Sequence, residues 1–315
     1  MKAVVVNKAG DPEVLEYTDV PTPEVKAGWS LIRVKGFGVN HSEIFTREGK
    51  SPSVKFPRIL GIEAVGIIDK STDKSLKVGQ TVMTFMGEMG RTYDGSYAEY
   101  VLVPNKQIFP ITTKLPWSDL AAIPETYYTA YGALIGLQIH TGDSLLIRAG
   151  TSGVGVSAAK LAKEMGNITV TSTTRNIEKS HRLYDIGVDN VVLDDNGNLQ
   201  TTQKFDKILD LMGPKTVPNS LSMLNKFGIV SSTGQLGGVW DLDNFDPIAG
   251  IPNNCYLTSF YSGEVDVNLL KDLIKLIEDK NIDVSPTKIF KLNEVSSAHA
   301  YLQSGHSFGK VVVLP

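Results

Sequence analysis

Leu145-Leu-Ile-Arg-Ala-Gly-Thr-Ser-Gly-Val-Gly155, running on into Val-Ser-Ala-Ala-Lys-Leu-Ala-Lys-Glu-Met-Gly166, decides the fold. An apolar run ends in small residues and glycines, and these open directly into a helical pattern: strand, tight turn, helix. Glycine lets the backbone bend sharply and come close to a ligand. The helix that follows aims unpaired N–H groups and its positive dipole end at the turn, where a pyrophosphate is the usual occupant. The spacing is Gly150-x-x-Gly153-x-Gly155, not a strict G-x-G-x-x-G, with Ala149 and Ser152 at small-residue positions. Gly150, Ser152, Gly153 and Val154 are therefore the expected pyrophosphate contacts.

Downstream of this turn the chain alternates strand and helix. Strands are expected at 168–173, 190–193, 207–211, 227–232 and 255–261, and helices at 176–185, 214–225 and 267–279. That alternation implies an α/β fold, a doubly wound parallel sheet of the dinucleotide-binding kind. Upstream, residues 2–110 read as short β-branched runs broken by Gly, Pro and Asp, an all-β unit of small-barrel type. Pro116-Trp-Ser-Asp119 changes the texture and marks a boundary. The closing Val311-Val-Val-Leu comes too late for the parallel sheet and returns to the N-terminal unit. The expected division is 1–116 plus 262–315 for one domain and 117–261 for the nucleotide domain.

About twenty residues beyond Gly150, an acid at the end of the second strand would accept bonds from the adenosine ribose hydroxyls and repel a 2′-phosphate. Here the sequence is Thr171-Ser-Thr-Thr-Arg-Asn-Ile-Glu-Lys179, with no acid at the strand end. Thr173, Thr174, Arg175 and Lys179 supply hydroxyls and cations instead, and charge-assisted bonds to a phosphate are the strong ones. The nucleotide reading is NADPH rather than NADH.

Composition limits the remaining classes. The chain has 315 residues and a net charge of −3, with no basic block that could neutralise a nucleic-acid backbone. Its one cysteine, Cys255, excludes an intrachain disulfide and a cysteine-rich zinc site. Met1–Asn7 carries too short an apolar run for a signal peptide, and no stretch approaches the ~20 apolar residues of a membrane helix. A cytoplasmic protein with no nucleic-acid or membrane partner is expected.

The chain resembles the medium-chain dehydrogenase/reductases, and within them the zinc-free quinone oxidoreductases, over essentially its whole length. The carriers are Gly38-Val-Asn40-His-Ser-Glu43 with Arg47-x-Gly49, Leu60-Gly-Ile-Glu63-Ala-Val-Gly66, Val78-Gly-Gln-Thr-Val82 and Gly95-Ser-Tyr-Ala-Glu-Tyr-Val101. Ile147–Gly155 and Gly309-Lys-Val-Val complete the set. The resemblance implies a GroES-like β-barrel-type catalytic domain formed from both chain ends around an inserted Rossmann domain. It also implies a cleft where NADPH meets a quinone or α,β-unsaturated carbonyl, and a homodimer, with the 255–261 strand a route to edge pairing. Zinc-dependent members carry cysteine where this chain has Asn40 and histidine where it has Ile62, so no zinc is expected.

By the same resemblance, Asn40 reaches the nicotinamide and substrate, Thr129 lies near the nicotinamide, and Gly234 and Gln235 contact that half of the cofactor. Phe45 stands where Tyr is common, removing a hydroxyl, and Asp194 stands where a Tyr commonly stacks near the adenine. Reduction needs hydride geometry and stabilisation of charge developing on oxygen. The Asn40 amide is the candidate donor to that oxygen, and Tyr127 or Tyr128 the candidate proton source. Glu43, Glu63 and His41 read as structural, and Cys255 as a buried small hydrophobe. None of the eleven tyrosines has lysine four residues on, which excludes the short-chain reductase arrangement. Alternatives are an enoyl-thioester reductase, a zinc-free alcohol dehydrogenase, and an NADPH-binding structural or sensing protein without turnover.

Overall fold

The computed structural model describes every residue from Met1 to Pro315. The chain opens with β1 (Lys2–Val6), paired antiparallel with β2 (Leu15–Asp19). β3 (Trp29–Val39) is eleven residues long and almost wholly buried, and it hands the chain directly to α1 (His41–Arg47). β4 (Arg58–Ile59), β5 (Glu63–Ser71), β6 (Thr81–Phe85), β7 (Tyr100–Pro104) and β8 (Phe109–Pro110) follow. The N-terminal half of β3 pairs with β5 and β7 at once, so both of its edges are satisfied. α2 (Trp117–Leu120) and a π-helical turn over Ile123–Tyr127 then lead into α3 (Tyr128–Gly136).

The next stretch is a regular alternation. β9 (Ser144–Arg148), α4 (Gly153–Met165), β10 (Thr169–Thr174), α5 (Ser180–Asp185) and β11 (Asn190–Asp195) come first. The short β12 (Asn198–Leu199), β13 (Phe205–Asp210), α6 (Val217–Ser222), β14 (Leu224–Ser232), α7 (Pro247–Gly250), β15 (Tyr256–Thr258) and α8 (Val267–Lys280) follow. Their sheet order is β12-β11-β10-β9-β13-β14-β15, parallel except for the β11–β12 pair. Setting β12 aside, this is the 3-2-1-4-5-6 order of a doubly wound dinucleotide fold, with its switch point between β9 and β13. Leu146, Phe205, Ile208 and Val230 of the strands, with Leu221 of α6, form its core, while β10 (Thr-Val-Thr-Ser-Thr-Thr) is buried although mostly polar.

The chain then returns through β16 (Lys288–Lys291), α9 (Val295–Gln303) and β17 (Val311–Leu314). β17 pairs antiparallel with the last residues of β3 (Val311 with Val39, Val313 with Phe37) and parallel with β16. The late Val-Val-Val-Leu run thus belongs to the N-terminal unit, where Ile32, Val34, Phe37, Ile68, Val101 and Val313 share one core.

The compact units are Met1–Glu125 with Gly263–Val267 and Val284–Pro315, and Thr126–Ser262 with Asn268–Asp283. Besides the single residue Ser262, these differ from the sequence-based division at two places. Residues 117–125 stay with the first unit, where the Glu125 N–H donates to Glu63 Oε2 at 2.8 Å. Residues 268–283 go with the second: Asp283 accepts from Lys160 Nζ through its backbone carbonyl (2.6 Å) and its carboxylate (2.9 Å). Some elements are also shorter than their patterns. The 176–185 helix begins as a 3-10 turn at Ile177–Lys179, because the Asn176 side chain caps the Glu178 N–H at 2.9 Å. The 255–261 strand is ordered as β15 only over Tyr256–Thr258, and the 214–225 helix is confined to α6.

Candidate active site

In the second unit the glycine turn has the form the sequence implies. Ala149 takes a left-handed φ of 58°, and the chain enters α4 with Ser152 as N-cap. A Cβ on Gly155 would lie 2.5 Å from the Ala149 carbonyl oxygen, and one on Gly150 2.7 Å from Ser172 Cβ. Both glycines are therefore required by the closeness of turn, helix and second strand. The Ser152 hydroxyl accepts from Gly155 N at 3.1 Å, so this side chain caps the helix. The first N–H groups of α4, at Gly153 and Val154, have no intrahelical acceptor and point out of the helix start.

At the end of β10, Thr173 Oγ1 accepts from Ala149 N (3.1 Å) and Thr174 Oγ1 donates to Asn176 O (2.8 Å). Arg175 is exposed beyond them. The Lys179 ammonium is pushed down by burial and then by the like charges of Arg182 and Arg175. Three cations thus gather beside the second strand with no acid at the strand end; Arg182 joins the two named from the sequence.

Gly234 follows β14 at a close approach, since a Cβ there would press on the Leu211 backbone; Gln235 beside it is exposed. Thr129 is buried at the start of α3. Tyr127 and Tyr128 both engage the second unit through contacts of their own. The Tyr127 hydroxyl donates to Asp283 O at 3.3 Å, and Tyr128 is fully buried with its ring 5.6 Å from that of Phe260.

Asp194 has a different occupation from an adenine contact. Arg148, the last residue of β9, is fully buried and bonds Asp194 Oδ2 through Nε (3.1 Å) and Nη2 (2.8 Å). Its other donors reach Gly197 O (2.8 Å), Asn219 Oδ1 (2.8 Å) and Ser220 Oγ (3.1 Å). Ser220 in turn donates to the buried Asp210 at 2.6 Å, so the network spans β9, β11, β13 and α6 at the carboxyl ends of the strands. A charge inside a fully buried strand implies a partner; the sequence contained that signal at Arg148.

In the first unit, β3, β5, α1 and the approach to β17 converge on one polar cluster. Glu63 opens β5 fully buried, Glu43 lies on α1 at 1% exposure, and Lys310 precedes β17 at 5% exposure. Lys310 Nζ donates to Asn40 Oδ1 and to Glu63 Oε1, both at 2.6 Å. Asn40 Nδ2 donates to Glu63 Oε1 (2.8 Å) and, more loosely, to Glu43 Oε1 (3.4 Å). Glu43 also accepts from Ile62 N (3.3 Å) and Ser42 Oγ (3.0 Å). Burial, and next the Glu63 carboxylate, push the Glu43 carboxyl up to about 7, with Lys310 opposing. Both Asn40 donors therefore face carboxylates, and the amide is not simply open to a substrate oxygen. The two glutamates are hydrogen-bonded as expected, but they form one charged cluster with a lysine that sequence reasoning passed over.

Behind this cluster lies a buried row. Arg47 Nη1 meets His299 Nδ1 at 3.3 Å, and His299 Nε2 meets Tyr97 Oη at 2.9 Å. A guanidinium can only donate, so Nδ1 accepts and the imidazole proton sits on Nε2, donated to the tyrosine. Burial, then Arg47 and His41, hold His299 down at about 3, and burial pushes the Tyr97 hydroxyl well up.

Comparison with known proteins places this geometry. The profile described as alcohol dehydrogenase GroES-like domain matches residues 26–113, and that described as zinc-binding dehydrogenase matches 186–313. The quinone oxidoreductase of Homo sapiens is 30% identical over 76% of this chain and 74% of its own length. The chain belongs to the medium-chain dehydrogenase/reductase family. An NADPH-dependent alkenal/one oxidoreductase, chloroplastic, of Arabidopsis thaliana is 27% identical over the whole chain and 80% of its own length. The solved quinone oxidoreductase of Coxiella burnetii superposes with a TM-score of 0.86 at 27% identity, covering 100% of this chain and 99% of that one.

One of the matched profiles is named for zinc binding. No three His, Cys, Asp or Glu side chains are gathered to hold a metal. The oxygens of Asn40 and Glu63 that would face one are taken by the Lys310 ammonium.

Proposed function

We propose that this oxidoreductase works without zinc and carries hydride from NADPH to a quinone or an α,β-unsaturated carbonyl. The observation that carries the proposal is the end of β10, where no acid stands and three cations gather in place of the ribose-binding acid. A 2′-phosphate there would relieve the mutual repulsion of Arg175, Lys179 and Arg182. Gly150 and the N–H groups of Gly153 and Val154 would take the pyrophosphate, while Thr129, Gly234 and Gln235 would face the nicotinamide half. When bound, NADPH supplies the hydride. The rest falls to the chain: an oxygen gaining charge would have to draw the Asn40 N–H away from its weaker, 3.4 Å contact with Glu43. The names of the human and Arabidopsis relatives support the substrate class.

Turnover with a panel of quinones and enals tests the reaction; tight NADPH binding with no turnover on any of them overturns it. The nucleotide assignment has its own test in Arg175→Ala. This variant is expected to weaken NADPH binding by about 10–100-fold, the value of a charged hydrogen bond, and to leave NADH unchanged. Equal effects on both nucleotides would count against Arg175 as the 2′-phosphate ligand.

The same reading includes a homodimer through β15, the edge strand of the parallel sheet. A proline inside an edge strand removes a ladder donor. Leu257→Pro is expected to sediment as a monomer where the parent sediments as a dimer, and a dimer in both rejects this route.

A further inference from the structure

The Asn40 side chain behaves unusually for its place in the chain. Asn40 is the N-cap residue of α1, a position where asparagine ordinarily accepts from the helix N–H groups. Here the side chain makes no capping bond. It is drawn instead into a closed ring of hydrogen bonds: Lys310 to its oxygen, its own nitrogen to Glu63, and Lys310 to Glu63. Glu63 cannot turn within that ring, because its other oxygen is held by the Glu125 N–H at 2.8 Å. The ring fits only because residue 38 has no side chain; a Cβ on Gly38 would overlap both Lys310 Cε and Glu63 Oε1.

A carboxamide has two orientations of similar shape and opposite chemistry. With Nδ2 turned toward Lys310, donor would face donor and the amide oxygen would face the Glu63 carboxylate. The ammonium therefore selects one of the two. We propose that Lys310 is a positioning residue for the reaction: it holds the Asn40 carboxamide oxygen, so that Nδ2 stays on Glu63 and Glu43 and its weaker bond, the 3.4 Å one to Glu43, is the one a reacting oxygen would displace. The proposal rests on the function proposed above for the catalytic use of Asn40, but the orientation itself can be read without turnover.

The test has two arms. In protein labelled with 15N-asparagine, the Asn40 side-chain amide pair is assigned by its loss in Asn40→Ala. Lys310→Met is expected to move or broaden that pair to the position of exposed asparagines, and Lys310→Arg to retain it. An unchanged pair in Lys310→Met overturns the proposal whether or not any substrate is turned over. Should Lys310→Met not fold, Lys310→Ala, which likewise removes the donor, takes its place with the same expectation.

In the kinetic arm, Lys310→Met is expected to lower kcat about tenfold or more while KM for NADPH stays within about twofold, as for a misplaced catalytic group. In the Asn40→Ala background the same change is expected to have no further effect, because Lys310 acts through Asn40. Independent, multiplying losses in the double variant would overturn the positioning role. If the parent protein turns over no quinone or enal, the functional reading fails, and the amide spectrum still decides the orientation.

Discussion

Arg148→Met is expected to destabilise the protein by about 3–5 kcal/mol, the usual loss when one member of a buried ion pair is removed. The reason lies in what is left behind. Asp194 keeps its Gly197 N–H bond at 2.8 Å but loses both guanidinium contacts, and it is only 6% exposed. The carbonyl of Gly197, the amide of Asn219 and the hydroxyl of Ser220 lose a donor with it. Urea unfolding at neutral pH measures the effect, and a loss below about 1 kcal/mol would show that the network is not what braces the strand ends. The companion Arg148→Met/Asp194→Leu should recover part of the loss, because the penalty is chiefly that of an orphaned buried carboxylate. Replacing Asp194 by an aromatic to extend an adenine surface would break the same brace.

The second large effect is a concealed pH dependence. His299 is held at about 3 against 6.5 when free, so the unfolded chain takes up a proton that the folded one refuses. Its contribution to stability is complete above pH 6.5 and is lost as pH falls toward 3. Glu43 has the opposite sign: raised from 4.5 to about 7, the folded carboxyl keeps a proton that the unfolded one has released. Its contribution is complete below 4.5 and is lost as pH rises through 7. Each slope is about 1.4 kcal/mol per pH unit, and between pH 4.5 and 6.5 they cancel. The parent protein should therefore be nearly flat across that window. Glu43→Gln should become more stable as pH rises, and His299→Gln less stable. Over the two units the variants diverge by on the order of 5 kcal/mol. Urea midpoints at three pH values across the window suffice. Parallel profiles for both variants and the parent would refute the assignment.

These two predictions concern residues at which sequence reasoning stopped short, and the reasons differ. Arg148 was legible in principle, because a charge at the end of the run Leu145-Leu-Ile is a local anomaly. Its partner was not, since Asp194 and Asn219 reach it across separate strands and a helix. His299 gave no local signal: its meaning comes from Arg47 and Tyr97, more than two hundred residues away in the chain. The tyrosine pair Tyr127–Tyr128 shows the reverse case. The sequence placed two hydroxyls near a domain boundary, but only packing reveals that one ring is sealed against Phe260 and the other hydroxyl is bonded to Asp283.

What the sequence determined by itself follows from local rules. The glycine turn, the alternation of strand and helix after it, and the missing acid at the end of β10 are short-range patterns set by backbone sterics, periodicity and charge. They were enough for the doubly wound sheet and for the return of β17 to the first unit. Only the tertiary structure decided the chemistry of the Asn40 cluster. Asn40, Glu43, Glu63 and Lys310 come from α1, β5 and the approach to β17, spread over 270 positions of sequence separation. Whether an amide donates or accepts depends on which charge stands 2.6 Å from its oxygen, and that is set by long-range strand pairing rather than by neighbours in the chain.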